Sequence, residues 1–141
     1  MIEKMLKVGD TYETEFVITQ EQVNAFAELS GDKNPLHIDA EFAATTNFKS
    51  PIVHGIFTSA VISKILGMEF PGPGTFYLGQ KLEFKRAIYP EKRYVAKFEI
   101  TEIREGKHIA VISTQYFETE TGRNRIVLDG EAEVKNLERI P

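Results

Sequence analysis

Gly55-Ile56-Phe57-Thr58-Ser59-Ala60-Val61-Ile62-Ser63-Lys64-Ile65-Leu66 is the stretch whose reading decides the fold. Wound at 3.6 residues per turn it is apolar on most of its circumference, the pattern of a helix buried on nearly every face. Gly67 is well placed to end it, and Pro71-Gly72-Pro73-Gly74 then forbids regular structure and marks a turn. Four runs rich in aliphatic, aromatic and threonine residues follow: Thr75 to Ile88, Arg93 to Arg104, His108 to Glu118 and Arg125 to Leu137. Gly106 and Gly122 stand between the later ones as hairpin loops require. In the third run Ile109, Val111, Ser113 and Gln115 alternate with Ala110, Ile112 and Thr114, which predicts a strand at least partly covered on both sides. One long buried helix followed by a meander of strands implies an α+β fold, with an antiparallel sheet wrapped around a central helix.

Upstream of that helix the pattern is local and well punctuated. Thr11 to Ile18 carries Tyr12, Phe16 and Ile18 among polar positions and reads as a short strand. Thr19, with Gln22 three residues later, forms a capping box for a helix over 20–29, and Asp39 is placed to cap a second, short helix through Ala44. Between them lies Leu29-Ser30-Gly31-Asp32-Lys33-Asn34-Pro35-Leu36-His37-Ile38-Asp39, too punctuated for ordinary helix or strand. Gly31 permits a bend and Pro35 pushes Asn34 toward extended geometry, so Asp32 and His37 sit on a shaped loop. A carboxylate and an imidazole so placed form an acid-base pair able to hold one water. The same residues admit a plainer reading, in which Asp32 and Asn34 bond their own turn and Asp39 only caps.

Length and composition bound the rest. A chain of 141 residues, 42% hydrophobic, suffices for one domain over 1–141 with a real core and is too short for two. A formal charge of -4 argues against nucleic acid as the partner. No run approaches the roughly 20 apolar residues that span a bilayer, and Met1-Ile2-Glu3-Lys4 leads into no signal-peptide core, so a soluble, cytoplasmic protein without a membrane partner is expected. The absence of cysteine excludes disulfides, thiolate nucleophiles and thiolate metal sites.

The wording around the loop carries more. Ala27-Glu28-Leu29-Ser30-Gly31-Asp32-Lys33-Asn34-Pro35-Leu36-His37, followed by Ala43, then Ile52-Val53-His54-Gly55-Ile56 and Tyr77-Leu78-Gly79-Gln80, resembles the MaoC-like dehydratases, or R-specific enoyl-CoA hydratases, in order and over most of the chain. The chain departs from that pattern at Asn24-Ala25-Phe26, where the family often has an aromatic pair, and at Ala87-Ile88-Tyr89-Pro90-Glu91, where many members read Pro-Val and then Gly-Asp. The resemblance implies the hot-dog fold, a homodimer, and reversible hydration of a trans-2-enoyl thioester to the R-3-hydroxyacyl thioester. It implies no cofactor beyond the coenzyme A or acyl carrier protein that forms part of the substrate.

Hydration of such a thioester needs a base for the water, an acid for the alpha carbon and a donor for the thioester oxygen. Asp32 as base and His37 as acid is the preferred assignment, with the reverse open. Gly55, at the start of the buried helix, offers an amide with no intrahelical acceptor at the positive end of the helix dipole, although a glycine there also serves a simple bend. His54, Ser63 and Asn34 are candidates for orienting the pair or the substrate, and Phe57, Ile62, Ile65 and Leu66 for shaping an acyl tunnel. The plainer alternatives are a hydrogen-bonded structural histidine, a serine bonded back to its own helix, and a turn asparagine. His108 is expected to face solvent in a hairpin. No metal is expected, because only one histidine is near Asp32 in sequence.

Gly72-Pro73-Gly74 lacks the lysine and helix of a phosphate loop. Lys85-Arg86 and Lys92-Arg93 could meet carrier phosphates, where a cluster on strand ends is ordinarily a solvated rim. The competing functions are the same chemistry run as a dehydratase on acyl carrier protein, a non-catalytic thioester-binding subunit, and a hot-dog thioesterase. The last is disfavoured because 55–66 holds no carboxylate.

Overall fold

The computed structural model describes residues 4–120, 122 and 124–141. Its elements are β1 (Thr11–Val17), α1 (Gln20–Ser30), α2 (Pro35–Ile38), α3 (Ala40–Ala44), α4 (Gly55–Met68), β2 (Phe76–Phe84), β3 (Arg93–Arg104), β4 (Ile109–Glu118) and β5 (Arg125–Lys135). The strands form one five-stranded sheet in the order β1-β3-β4-β5-β2, antiparallel at every pairing. None of the described helices is long and apolar enough to cross a membrane.

Period-two alternation divides the sheet into two faces. Phe98 and Ile100 on β3, Ala110, Ile112 and Tyr116 on β4, and Leu128, Ala132 and Val134 on β5 are all buried in the core, in one cluster with Ile62, Ile65 and Leu66 of α4. The three α4 side chains are at most 1% exposed, and at that burial each contributes roughly 1.5–3 kcal/mol. Tyr116 Oη donates to Thr58 O at 2.8 Å and so fixes the rotation of α4 on the sheet. Burial raises the Tyr116 phenol far above its ordinary value, so it remains a donor. On the opposite face of β4, Val111 is buried while Ser113 and Gln115 are half-buried, the partial two-sided covering that the alternation predicts.

Gly130 has a packing role. A Cβ there would come within 2.6 Å of Thr114 Oγ1 and 2.7 Å of Gln80 Nε2. That space is taken by Gln80, which donates to Thr114 Oγ1 at 3.0 Å and accepts from the Tyr77 hydroxyl. The Tyr77-Leu78-Gly79-Gln80 motif is thus a polar link between β2 and the middle of the sheet.

Local signals place the helix ends. Thr19 and Gln22 form the predicted capping box, Gly31 closes α1 at φ 81°, and Asp39 Oδ1 accepts from Glu41 N and Phe42 N at the start of α3. Three boundaries differ from the sequence reading. Gly67 does not end α4: the helix runs to Met68 and stops where the N–H groups of Glu69 and Phe70 both bond Ile65 O and Phe70 turns into the core. β2 ends at Phe84 rather than Ile88, because Lys85 N and Arg86 N both donate to one carbonyl, Val127 O, which breaks the ladder. Within the shaped loop, Asn34 and Pro35 start a one-turn helix, α2. Gly106 makes its turn at φ 82° and Gly122 lies at φ 74°, while its neighbours Thr121 and Arg123 fall outside the described residues.

Candidate active site

The end of α1, the turn of α2 and the start of α4 meet at one point. Gly31, in the left-handed conformation, turns the chain back out of α1, and Asp32 follows with its N–H on Ser30 Oγ at 3.1 Å. Asn34 caps α2 by accepting from Leu36 N at 3.1 Å, and its carbonyl accepts from His37 N. Asn34 therefore sets the backbone of His37, not its ring. His37 lies within α2, buried, and its Nδ1 is 2.8 Å from Ile52 O. A carbonyl only accepts, so Nδ1 carries a proton, and of the two neutral tautomers this contact selects the one with its lone pair on Nε2.

His54, the residue before α4, is 1% exposed and repeats this arrangement. Its Nε2–H donates to Asp32 O at 2.9 Å, which ties the Asp32 backbone to the start of α4. The His37 and His54 rings stack with centroids 3.9 Å apart and planes at 29°, and the Phe26 and His54 rings meet edge-on with centroids 4.8 Å apart. Phe26 is itself stacked on Phe57. One side-chain oxygen or nitrogen each from Asp32, His37 and His54 come within 4.8 Å of one another. A water bridging two acceptors spans up to about 5.6 Å at ordinary hydrogen-bond lengths, so this separation suits one shared water.

The same cluster corrects the premise that only one histidine is at hand, since folding brings His54 onto His37. The three donors are still poorly disposed toward an ion. Two of the four ring nitrogens are spent on backbone carbonyls, and lone pairs in nearly parallel stacked rings run side by side rather than converging at about 2.0–2.1 Å.

His37 and Gly55 line a cavity of about 390 Å³, within the range of small-ligand sites. Its apolar wall is Phe48, Ile52, Val53, Phe84 and Ile88; Asp32 is exposed and does not line the cavity, but has a carboxylate oxygen within 4.8 Å of a ring nitrogen of His37. Gly55 is the first residue of α4, and among the described residues nothing accepts its N–H. Its missing side chain serves packing too, since a Cβ would lie 3.2 Å from the Phe84 ring. The wall is anchored by Val53 N on Ile88 O and by Tyr89, whose N–H bonds Tyr94 Oη and whose hydroxyl bonds Phe48 O. Glu91 adopts φ 63°, uncommon for a residue other than glycine, and is held by its N–H on Ile18 O and by its carboxylate on Gln20 N.

Other expectations need correction. Ser63 is exposed on α4, about 12 Å along the axis from Gly55 at 1.5 Å per residue, and does not meet the Asp32/His37 pair. Leu66, Ile62 and Ile65 belong to the core against the sheet, not to the cavity wall, and Phe57 packs on Phe26. His108 is half-buried: its Nδ1–H donates to Ile140 O at 2.6 Å and fastens the C-terminal segment. Sequence reasoning missed Phe84, the Ile52 carbonyl and the stacking role of His54. Only the position of His54 beside Gly55 could have signalled the last.

With this geometry in view, the chain has the hot-dog fold and is an enzyme of the hydro-lyase class. It belongs to the MaoC-like domain family, whose pattern matches residues 4–121. It is 46% identical to the (R)-specific enoyl-CoA hydratase of Aeromonas caviae over 114 residues, 81% of this chain and 83% of that one. It is 35% identical to the mitochondrial 3-hydroxyacyl-[acyl-carrier-protein] dehydratase of Arabidopsis thaliana, over 91% of this chain and 76% of that one. The solved structure of the (R)-hydratase from A. caviae involved in PHA biosynthesis superposes with a TM-score of 0.86 at 41% identity, covering 93% of this chain and 97% of that one.

Replacing His54 tests the clamp. His54→Phe keeps a ring on His37 but leaves Asp32 O without its donor. A loss of about 1–3 kcal/mol in urea unfolding is expected, with turnover down about 10²-fold as the loop shifts. Unfolding and turnover both equal to those of the unaltered protein would show that the clamp does not position the loop.

Proposed function

We propose that this chain adds water reversibly across the double bond of trans-2-enoyl-CoA to give (R)-3-hydroxyacyl-CoA. The observation that carries the reading is the approach of the Asp32 carboxylate to the His37 ring within 4.8 Å, with His37 lining one cavity with Gly55, whose N–H has no acceptor among the described residues. The tautomer set by Ile52 O favours His37 as the base, the reverse of the assignment preferred from sequence. Asp32 accepts one hydrogen of the water and orients it. Its other hydrogen passes to His37 Nε2 as the water oxygen bonds to C3, and the displaced electron pair moves toward C2 and the thioester oxygen. The Gly55 N–H, at the positive end of α4, receives that developing charge. His37 then returns its proton to C2, so oxygen and hydrogen arrive on the same face and one stereoisomer results. The scheme consumes only water and the thioester, and run backwards it is a dehydration.

The same groups would act on an acyl-carrier-protein thioester, but the higher identity to the (R)-specific enoyl-CoA hydratase favours coenzyme A as carrier. The presence of both Asp32 and His37 in the chain counts against a non-catalytic role. Asp32→Asn and His37→Ala should each lower hydration of butenoyl-CoA by about 10² to 10⁴-fold while circular dichroism stays unchanged. The double variant should lose far less than the product of the two, because both act on one water. Rates like those of the unaltered protein in either single variant would refute the scheme.

The chain acts, in this proposal, as a homodimer joined through β2. That strand is an edge of the sheet, with no strand pairing its free side among the described residues, and Phe76, Tyr77, Leu78 and Phe84 on it are 40–62% exposed. Analytical ultracentrifugation should give twice the chain mass. A monomer at micromolar concentration would rule the dimer out.

A further inference from the structure

Beside the catalytic cavity, and sharing Lys85, Arg86 and Ala87 with its wall, lies a polar depression of about 380 Å³. Lys85, Arg86, Lys92 and Arg125 line it against a single carboxylate, Glu118. That excess of cations stands on a chain whose formal charge is -4, so it is not the composition repeated in miniature. The sequence pairs Lys92 with Arg93, but Arg93 turns away to Glu15 at 3.6 Å, and its place is taken by Arg125 from β5.

A solvated rim would leave these side chains loose, and two of them are not. The Glu118 side chain is only 6% exposed and binds Lys92 Nζ at 2.9 Å through one oxygen and Arg125 Nη2 at 3.0 Å through the other. The hydrogen bond from Lys92, with further help from Arg125, holds its carboxyl below the ordinary glutamate value. A buried carboxylate gripping two cations fixes their geometry in advance, and one negative charge against two leaves the group cationic. The Nε–H of Arg125 is buried and, among the described residues, has no acceptor. Arg86 is exposed with no side-chain partner among the described residues, and Lys85 pairs only with the exposed Glu83. Planar guanidinium groups beside ammonium groups suit phosphate oxygens.

We propose that this depression receives a phosphate of the thioester's carrier, bound by Arg86, Arg125, Lys85 and Lys92, with Glu118 as the positioning residue for two of them. The inference rests on the thioester reading above, because the shared wall lets one ligand reach from His37 and Gly55 along Ala87 to the cations. Coenzyme A and the arm of an acyl carrier protein both carry a 4′-phosphopantetheine phosphate, and coenzyme A adds nucleotide phosphates.

Calorimetric titration of the full chain with coenzyme A and with 4′-phosphopantetheine tests it, using the unaltered protein, Arg86→Gln and the double variant Lys85→Gln/Arg86→Gln. Both positions are exposed, so folding should be retained. The double variant is expected to bind at least one ligand about tenfold more weakly, the scale of losing a charge-assisted hydrogen bond, and the difference should shrink with added salt. Weakening of both ligands assigns the pantetheine phosphate, and weakening of coenzyme A alone assigns a nucleotide phosphate. Equal affinities across the proteins, or no binding by the unaltered one, overturns the proposal. Hydration of butenoyl-CoA in the same preparations keeps the two readings apart. Phosphate-dependent binding without turnover would sink the hydratase reading and leave the subsite standing.

Discussion

Two hydrogen bonds from imidazoles to backbone carbonyls hold this site together: His54 to Asp32 O and His37 to Ile52 O. They are reciprocal. The segment before α4 supplies a donor to the loop after α1, and that loop supplies a donor back. The rings stack between them at 3.9 Å, so the loop bearing Asp32 and His37 cannot shift relative to Gly55 without breaking both bonds. Each bond also fixes a tautomer, which decides what chemistry each histidine can offer. His37 lines the cavity with its Nδ1 engaged by Ile52 O, and His54 is left with a buried Nδ1 that has no partner among the described residues. One histidine lines the cavity and the other stacks on it and ties down the Asp32 backbone.

That clamp needs a rigid floor, which the sheet provides. α4 is buried against β3, β4 and β5, and the Tyr116–Thr58 bond sets its rotation, so its first turn is fixed where the loop must land. Phe84 ends β2 against Gly55, and the chain then leaves the ladder at Lys85 and Arg86. The break turns what would have been a longer strand into the cavity wall and carries two cations toward the depression around Glu118. The cavity wall and the charge placement beside it thus follow from one event, the sharing of Val127 O by two successive amides.

Much of this was legible because it is local. Thr19 with Gln22, Gly31 and Asp39 each act on residues within a turn of themselves: Thr19 and Asp39 cap where their spacing says, and Gly31 makes its bend as the C-cap of α1. The apolar circumference of 55–66 announced a helix buried on nearly every face, but only the stripe of Thr58, Ile62, Ile65 and Leu66 is buried, while Ile56, Ala60, Ser63 and Lys64 are exposed; alternation announced the strands. Asp32, His37 and Gly55 were legible as residue types in a family-like order, and folding brings them together. The rest depended on contacts that residue identity does not encode. A carbonyl acceptor such as Ile52 O belongs to every residue alike, so neither the tautomer of His37 nor its stacking on His54 could be read from the chain. Ser63 and Leu66 were misplaced because a sequence apolar around most of the helix does not reveal which face meets the sheet, which the cavity and which the solvent. Arg125 joined the cations beside the cavity in place of Arg93 because β5 and the segment after Ile88 lie side by side only in the folded protein.

The claim on which the account turns is that His37 is held with its proton on Nδ1 and its lone pair on Nε2. Nitrogen-15 NMR of the free protein, labelled at histidine and assigned with His54→Phe and His108→Gln, reads this directly. The account predicts a protonated, pyrrole-type Nδ1 and an unprotonated, pyridine-type Nε2 for the uncharged His37 ring. The opposite tautomer would mean that Ile52 O does not anchor the ring, and it would contradict His37 as the base.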